Sequence, residues 1–332
     1  MEEVELVIIG AGPTGLFATF CAGLRAIKSV TLEGLGTYGG QMHELYPEKN
    51  VYDVQGVPKL VSFELAKKMY EQATMFNQKI VFDSDVTDII PTEGGKFILE
   101  VNGEQAYTTK SVLICAGVGY FTPNKLNVEG EASYLGKGVY YTVKSIADFK
   151  GDRAMIVGGG DSAFDYALQI EPVVKSVIIT QHNGLLKAAE SSILAAKNSQ
   201  KIKVMLNTGI KKILGDGNGV NKVCINDNVS NTESYLDVDS VIVAIGHKAD
   251  PDIFKSITFE SVNKRYIKVD TNYKTNINGI YAAGDIANVS NEPKFALLAV
   301  GGAEAYVAIN NIKKYLSPQS SLTGEHSSNL DL

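Results

Sequence analysis

Short, continuously apolar runs recur along the chain, each stopped by glycine and followed by a stretch of helical period. Leu6-Val7-Ile8-Ile9 is the first. An unbroken apolar run of this length is the pattern of a strand buried on both faces, as in a parallel sheet, rather than the alternation of a half-exposed strand. It stops at Gly10-x-Gly12-x-x-Gly15, after which the spacing predicts a helix from Leu16 to Ala26 and a second strand, Ser29-Val30-Thr31-Leu32, ending in Glu33. The same order returns 148 residues downstream: strand Ala154-Met155-Ile156-Val157, then Gly158-x-Gly160-x-x-Ala163, helix Ala163 to Ile170, and strand Ser176-Val177-Ile178-Ile179. One glycine pattern is a weak signal, but a repeat with the correct strand before and helix after is a strong one.

Glycines in such a turn let a pyrophosphate approach backbone N–H groups at a helix N-terminus, and an acid at the end of the next strand accepts ribose hydroxyls. Glu33 stands 18 residues beyond Gly15, where that acid belongs. The equivalent position in the second unit is Gln181. A carboxylate there would repel a 2′-phosphate, so its absence permits NADPH without demanding it. Two unlike nucleotide sites are therefore expected, the second built around Gly158, Gly160, Asp161, Ser162 and Ala163.

Two further apolar strands that run into small-residue turns, Ser111 to Gly117 and Ser240 to Gly246, bracket the second unit. They read as domain crossings in which Gly117, Gly119 and Gly246 either permit hinging or simply end strands. The expected fold is α/β: two Rossmann-like, three-layer nucleotide-binding domains, one (118–245) inserted into a discontinuous other (1–117 and 246–332). Past the insertion, Gly279-Ile280-Tyr281-Ala282-Ala283-Gly284-Asp285 gives a strand, a glycine turn and an acid, followed by a helix from about Leu297 to Tyr315. Asp285 reads either as a turn residue or as a ligand of the first nucleotide.

The chain has 332 residues, with 31 Lys and Arg against 37 Asp and Glu, a net charge of −6. That balance argues against nucleic acid as a partner, because duplex binding relies on neutralising phosphates. The start, Met1-Glu2-Glu3-Val4-Glu5, is acidic where a signal peptide has a basic region, and no apolar stretch reaches the roughly 20 residues of a membrane helix. A cytoplasmic protein is expected. Cys21, Cys115 and Cys224 are far apart among apolar neighbours, and the four histidines lack metal-ligand spacing, so reduced buried thiols and no metal site are expected.

The segments Val7 to Gly15 (VIIGAGPTG), Val157 to Ala163 (VGGGDSA) and Gly279 to Asp285 (GIYAAGD) resemble the low-molecular-weight thioredoxin reductases over nearly the whole chain. That family carries a Cys-x-x-Cys pair just ahead of its second glycine motif. Here the corresponding stretch, Gly138 to Lys144, has no cysteine. The resemblance narrows to the ferredoxin:NADP oxidoreductases of the thioredoxin reductase type, through Gly39-Gly40-Gln41, Leu45-Tyr46-Pro47-Glu48-Lys49, Val51-Tyr52-Asp53, Gly56-x-Pro58, the run from Ala116 to Pro123, and Leu168-x-x-Glu171-Pro172.

The resemblance implies FAD, with its pyrophosphate on Gly10, Gly12, Thr14 and Gly15, its adenosine ribose on Glu33, and Gln41 toward the flavin. It implies Val86 near the adenine, Phe121 near the flavin, and Asp285 on the ribitol and phosphate region. Tyr46 is implied to stack on one flavin face and His326 to cover the other, with Ser327 and Ser328 at the flavin edge, the tail reaching the neighbouring subunit of a homodimer. The helix beginning near Leu297 is implied to point its positive end at the flavin. Hydride passes from nicotinamide to flavin and single electrons then pass to ferredoxin, so the cofactor carries the chemistry and no catalytic side chain is required. Relatives that prefer NADPH have an Arg pair after the second strand of the second unit. His182 and Asn183 replace it, with Lys187 where a later Arg stands, so NADPH and NADH are both expected as co-substrates. An NAD(P)H oxidase or diaphorase, and a non-enzymatic flavin- or nucleotide-binding sensor, are the alternatives on the same fold.

Overall fold

The computed structural model describes residues 1–117, 119, 122–248 and 254–323. The chain forms two compact units, Met1–Tyr120 with Ala249–Leu332, and Phe121–Lys248. Both are α/β, and both are built as three layers.

In the first unit the apolar run at the start becomes the strand Glu2–Ile9, at the centre of a parallel sheet. Its neighbours are Ser29–Leu32 on one side and Glu104–Ile114 on the other, with Lys79–Val81 beyond the first and Ile280–Ala282 beyond the second. Glu104–Ile114 begins seven residues before the run read from the sequence. Its first half turns away from the parallel sheet into an antiparallel meander with Phe97–Val101 and Val86–Pro91. The meander covers one face of the sheet, and its strand Phe97–Val101 alternates buried and partly buried positions as a one-sided strand should. The other face carries the helices Pro13–Leu24 and Leu298–Leu316, packed through Ala18, Cys21, Ala22, Ala305, Ala308 and Ile309. Small residues on both helices let them approach closely.

The second unit repeats this plan with a five-stranded parallel sheet in the order Val139–Tyr140, Ser240–Val243, Arg153–Val157, Ser176–Thr180, Ile202–Met205. Helices Asp161–Ile170 and Glu190–Asn198 cover one face. An antiparallel sheet of Thr208–Gly215, Val220–Asp227 and Thr232–Asp237 covers the other. The two ends of this unit, Thr122–Pro123 and His247–Lys248, pair antiparallel, and Asn124 donates its backbone N–H to Gly246 O. Gly117, Gly119 and Gly246 at the crossings all have positive φ, the conformation that favours glycine.

Candidate functional site

The glycines of the first turn divide by what surrounds them. Gly10 has φ +100°, and a Cβ there would lie 2.6 Å from Cys115 O. A Cβ on Gly15 would overlap Gly10 O. These two are glycine because the chain itself leaves no room. Gly12 is different: φ is −70°, and the nearest atom to a Cβ would be Gly40 Cα at 3.9 Å. Nothing in the chain requires glycine at that position. It is the N-cap of the helix Pro13–Leu24, which no side chain caps, so the open space lies over backbone N–H groups and the positive end of the helix dipole. That is a cradle for a phosphate, and the residues fit the pyrophosphate of FAD.

Glu33 follows the strand Ser29–Leu32 and is 7% exposed. Its Oε2 accepts from Ala11 N–H at 2.6 Å and its Oε1 from Leu35 N–H at 2.9 Å. Burial pushes its pKa up, opposed by these backbone donors. Each oxygen retains an acceptor lone pair for a ribose hydroxyl. The carboxylate thus also clamps the residue between Gly10 and Gly12, a role that the motif alone does not reveal. We expect Glu33→Ala to weaken FAD binding by about tenfold or more, from the loss of about 1.5–3 kcal/mol of charge-assisted bonding. It should also lower the melting temperature of the flavin-free protein, because two N–H groups lose their acceptor. Unchanged values in a flavin titration would remove Glu33 from the site.

Three distant segments meet at the turn's other side. Gln41 Nε2 donates to Asp285 Oδ2 at 3.0 Å, and the same amide lies 3.8 Å from where a Cβ on Gly117 would stand. Thr14 Oγ1 sits 2.7 Å from a Cβ placed on Gly284 and still nearer one on Gly301, so both glycines are needed for the close packing of the Asp285 turn and the helix Leu298–Leu316 on the first turn. That helix has Leu297 as its N-cap and no side-chain cap. Tyr46 is partly buried against Met42, Val51 and Leu65, with Lys49 Nζ 5.5 Å from its ring centre. The Val86 side chain belongs to the core beneath the meander, and the residue stands opposite Val101 in the sheet. Phe121, His326, Ser327 and Ser328 lie outside the described residues.

In the second unit a Cβ on Gly158 would overlap Ala244 O, and one on Gly159 would meet the Gln181 side chain at 2.6 Å. Gly160 has nothing within 4 Å of a Cβ and is the N-cap of Asp161–Ile170, again without a side-chain cap. Ala163, fully buried, fills the third position of the motif. Ser162 is exposed beside it. Asp161 Oδ1 accepts from Ala189 N–H at 2.8 Å, and Lys187 N–H donates to Gly159 O at 2.7 Å, so the loop from Gln181 to Ala189 folds back onto the glycine turn. Gln181 Nε2 donates to Leu185 O and to Asn183 Oδ1, which also accepts from Leu185 N–H at 3.0 Å. Asn183 is therefore the turn-former of this loop. His182 is exposed, its carbonyl held by Asn228 Nδ2 at 2.8 Å.

The three cysteines are free and buried. Burial pushes the Cys21 thiol up to about 12, and burial, with the Glu304 charge second, pushes Cys115 up as well. Neither is a thiolate nucleophile at neutral pH. Among the described residues no group of His, Cys, Asp and Glu has the geometry of a metal site, and no helix is long and apolar enough to cross a membrane.

A family model described as pyridine nucleotide-disulphide oxidoreductase matches residues 4–305. The chain is 50% identical over its full length, and the full length of the relative, to a ferredoxin–NADP reductase of Picrophilus torridus. It is 42% identical to one of Sulfurisphaera tokodaii, covering 100% of this chain and 99% of that one. Among solved structures, thioredoxin reductase of T. acidophilum is 28% identical with a TM-score of 0.85, over 95% of this chain and 99% of the other. Lactococcus lactis thioredoxin reductase is 24% identical with the same TM-score and coverage, a likeness of fold.

Proposed function

The chain belongs to the pyridine nucleotide-disulphide oxidoreductase family, and from that premise we infer that it is an FAD-dependent oxidoreductase carrying electrons between NAD(P)H and ferredoxin. One observation carries this reading: two uncapped helix N-termini, at Gly12 and Gly160, each with a glycine that only a ligand requires, one beside an acid and the other beside an amide. Bound FAD supplies the exchange between a two-electron hydride and single electrons. The chain's own residues bind and orient. In our reading Gly12, Thr14, Glu33, Gln41 and Asp285 hold FAD in the first unit, with Tyr46 against the flavin, and Gly160, Ser162, His182 and Lys187 receive NAD(P)H in the second. The working form in this reading is a homodimer in the cytoplasm. Purified protein should be yellow and should reduce a ferredoxin with NADPH and with NADH. A protein that binds no FAD, or that passes electrons only to oxygen, would defeat the reading.

The loop geometry refines the expectation on coenzyme choice. Asn183 is committed to its turn through its side-chain oxygen, which accepts from Gln181 Nε2 and from Leu185 N–H, so Arg at 183 would break the loop. His182 is exposed and its side chain takes no part in that turn's backbone bonds. His182→Arg should therefore raise the ratio of NADPH to NADH efficiency by about tenfold, the worth of one charge-assisted phosphate contact. Asn183→Arg should instead raise both KM values. Steady-state kinetics with the two coenzymes decides, and an unchanged ratio in His182→Arg would place the 2′-phosphate elsewhere.

A further inference from the structure

Lys294 and Glu304 form an ion pair whose two side chains are each only 6% exposed. The segment around the lysine inverts the usual order of burial, because Phe295 is 73% and Leu297 47% exposed while the ammonium between these apolar neighbours and the protein interior points inward. Taking two charges out of water is costly, and a buried pair replaced by apolar residues is often as stable or more so. Stability alone does not account for this choice.

What the pair touches does. Glu304 Oε1 accepts from Lys294 Nζ, while Oε2 accepts from the backbone N–H of Gly284 at 2.7 Å. Gly284 has φ +80°, packs on Thr14, and is followed at once by Asp285, which holds Gln41. Glu304 lies two turns into the helix Leu298–Leu316, and Lys294 lies in the segment that leads to its uncapped N-terminus. One carboxylate therefore ties the Asp285 turn, which packs on Thr14 of the first glycine turn, to the approach to the C-terminal helix.

Resting on the reading that this unit binds FAD, we propose that Lys294 and Glu304 are positioning residues that set Asp285 and the N-terminus of the C-terminal helix against the flavin, fixing both its retention and its ease of reduction. Neither residue touches the reacting atoms. The helix end favours negative charge, so loosening it makes the reduced flavin less stable.

The test compares holoprotein of the wild type with Lys294→Arg, with Glu304→Asp, and with the double variant Lys294→Met/Glu304→Gln, which removes both charges together. Flavin release is followed by the rise of free flavin fluorescence, the midpoint potential by equilibration with a reference dye, and folding by thermal melting. Lys294→Arg keeps the pair and should resemble wild type. Glu304→Asp shortens the reach to Gly284 and should release flavin at least tenfold faster. The double variant should melt close to wild type yet release flavin at least tenfold faster, with its potential shifted to more negative values. Wild-type release rate and potential in Glu304→Asp or in the double variant would overturn the proposal. So would a loss in Lys294→Arg as large as in the double variant. A wild type without FAD would overturn the underlying reading as well, and is seen before any variant is made.

Discussion

Gly12→Val should give a folded protein that comes off the column colourless. The position tolerates a side chain as far as the chain is concerned, since φ is ordinary and the nearest atom to a Cβ lies at van der Waals distance. The added methyl groups occupy the space over the first-turn amides, where our proposal puts the pyrophosphate. We expect FAD affinity to fall by about a thousandfold, near 4 kcal/mol, with the melting temperature of the flavin-free form unchanged. Gly10→Val is the contrast. There a Cβ meets Cys115 O and the φ of +100° is unfavourable, so strain and overpacking of about 1–3 kcal/mol each should lower the melting temperature itself. Gly160→Val should reproduce the first result in the second unit: flavin retained, NADPH no longer saturating. A Gly12→Val protein that stays yellow would show that the open cradle is not where the cofactor binds.

The second large effect concerns the acceptor. Reduction of thioredoxin disulfide should stay at background while ferredoxin is reduced with either coenzyme. A disulfide relay needs two neighbouring thiols of which one is readily ionised. The stretch that holds such a pair in thioredoxin reductases is here structural: Val139 pairs in the sheet, Tyr141 donates its hydroxyl to buried Glu131 at 2.9 Å, and Val143 is fully buried. The three cysteines present are buried and far apart in sequence, and those at 21 and 115 resist ionisation. Of the lysines at 67, 68, 201, 203, 313 and 314 that could steer an acidic partner, Lys201 is engaged at the carbonyls of Glu171 and Val174, Lys313 at that of Ala26 and Lys314 at that of Ser320, while Lys67, Lys68 and Lys203 are exposed. Association with ferredoxin should slow as salt rises. Efficient thioredoxin turnover, measured with NADPH and a disulfide reporter, would overturn the assignment.

Much of this was legible in the sequence because it is local. A glycine turn between an apolar strand and a helix announces itself within about 25 residues, and both turns stand where the repeat places them. The helix Pro13–Leu24 starts three residues earlier than its apolar period, because Gly12 caps it and Pro13 suits its first position. The C-terminal helix differs by one residue at each end. What the sequence hid depends on partners far apart or on side chains that turn the unexpected way. The sequence raises the expectation of Glu33 as a ribose acceptor but gives no sign of the clamp on Ala11. Asn183 looked like a missing arginine and is the residue that shapes its loop. The antiparallel layer of each unit carries no motif, and the start of Glu104–Ile114 is polar enough to read as loop. Lys294 and Glu304 are ordinary surface residue types, and only the fold reveals that both side chains are buried.

The outer parallel strand of the first unit has a consequence for how the chain is made. Ile280–Ala282 pairs with Val112 to Ile114, and Ser111 Oγ donates to Gly279 O across a separation of 168 residues. At ribosomal rates that interval lasts roughly 10–30 s. Throughout it the apolar edge at Val112 to Ile114 stands open, an invitation to pair with another chain. The insert is synthesised during the wait, and the pairing of its two ends returns the polypeptide to the place it left, so a loop of more than a hundred residues closes like a short one. Premature termination anywhere before Ile280 leaves that edge permanently bare, which makes truncated products of this gene candidates for aggregation even when both glycine turns are intact.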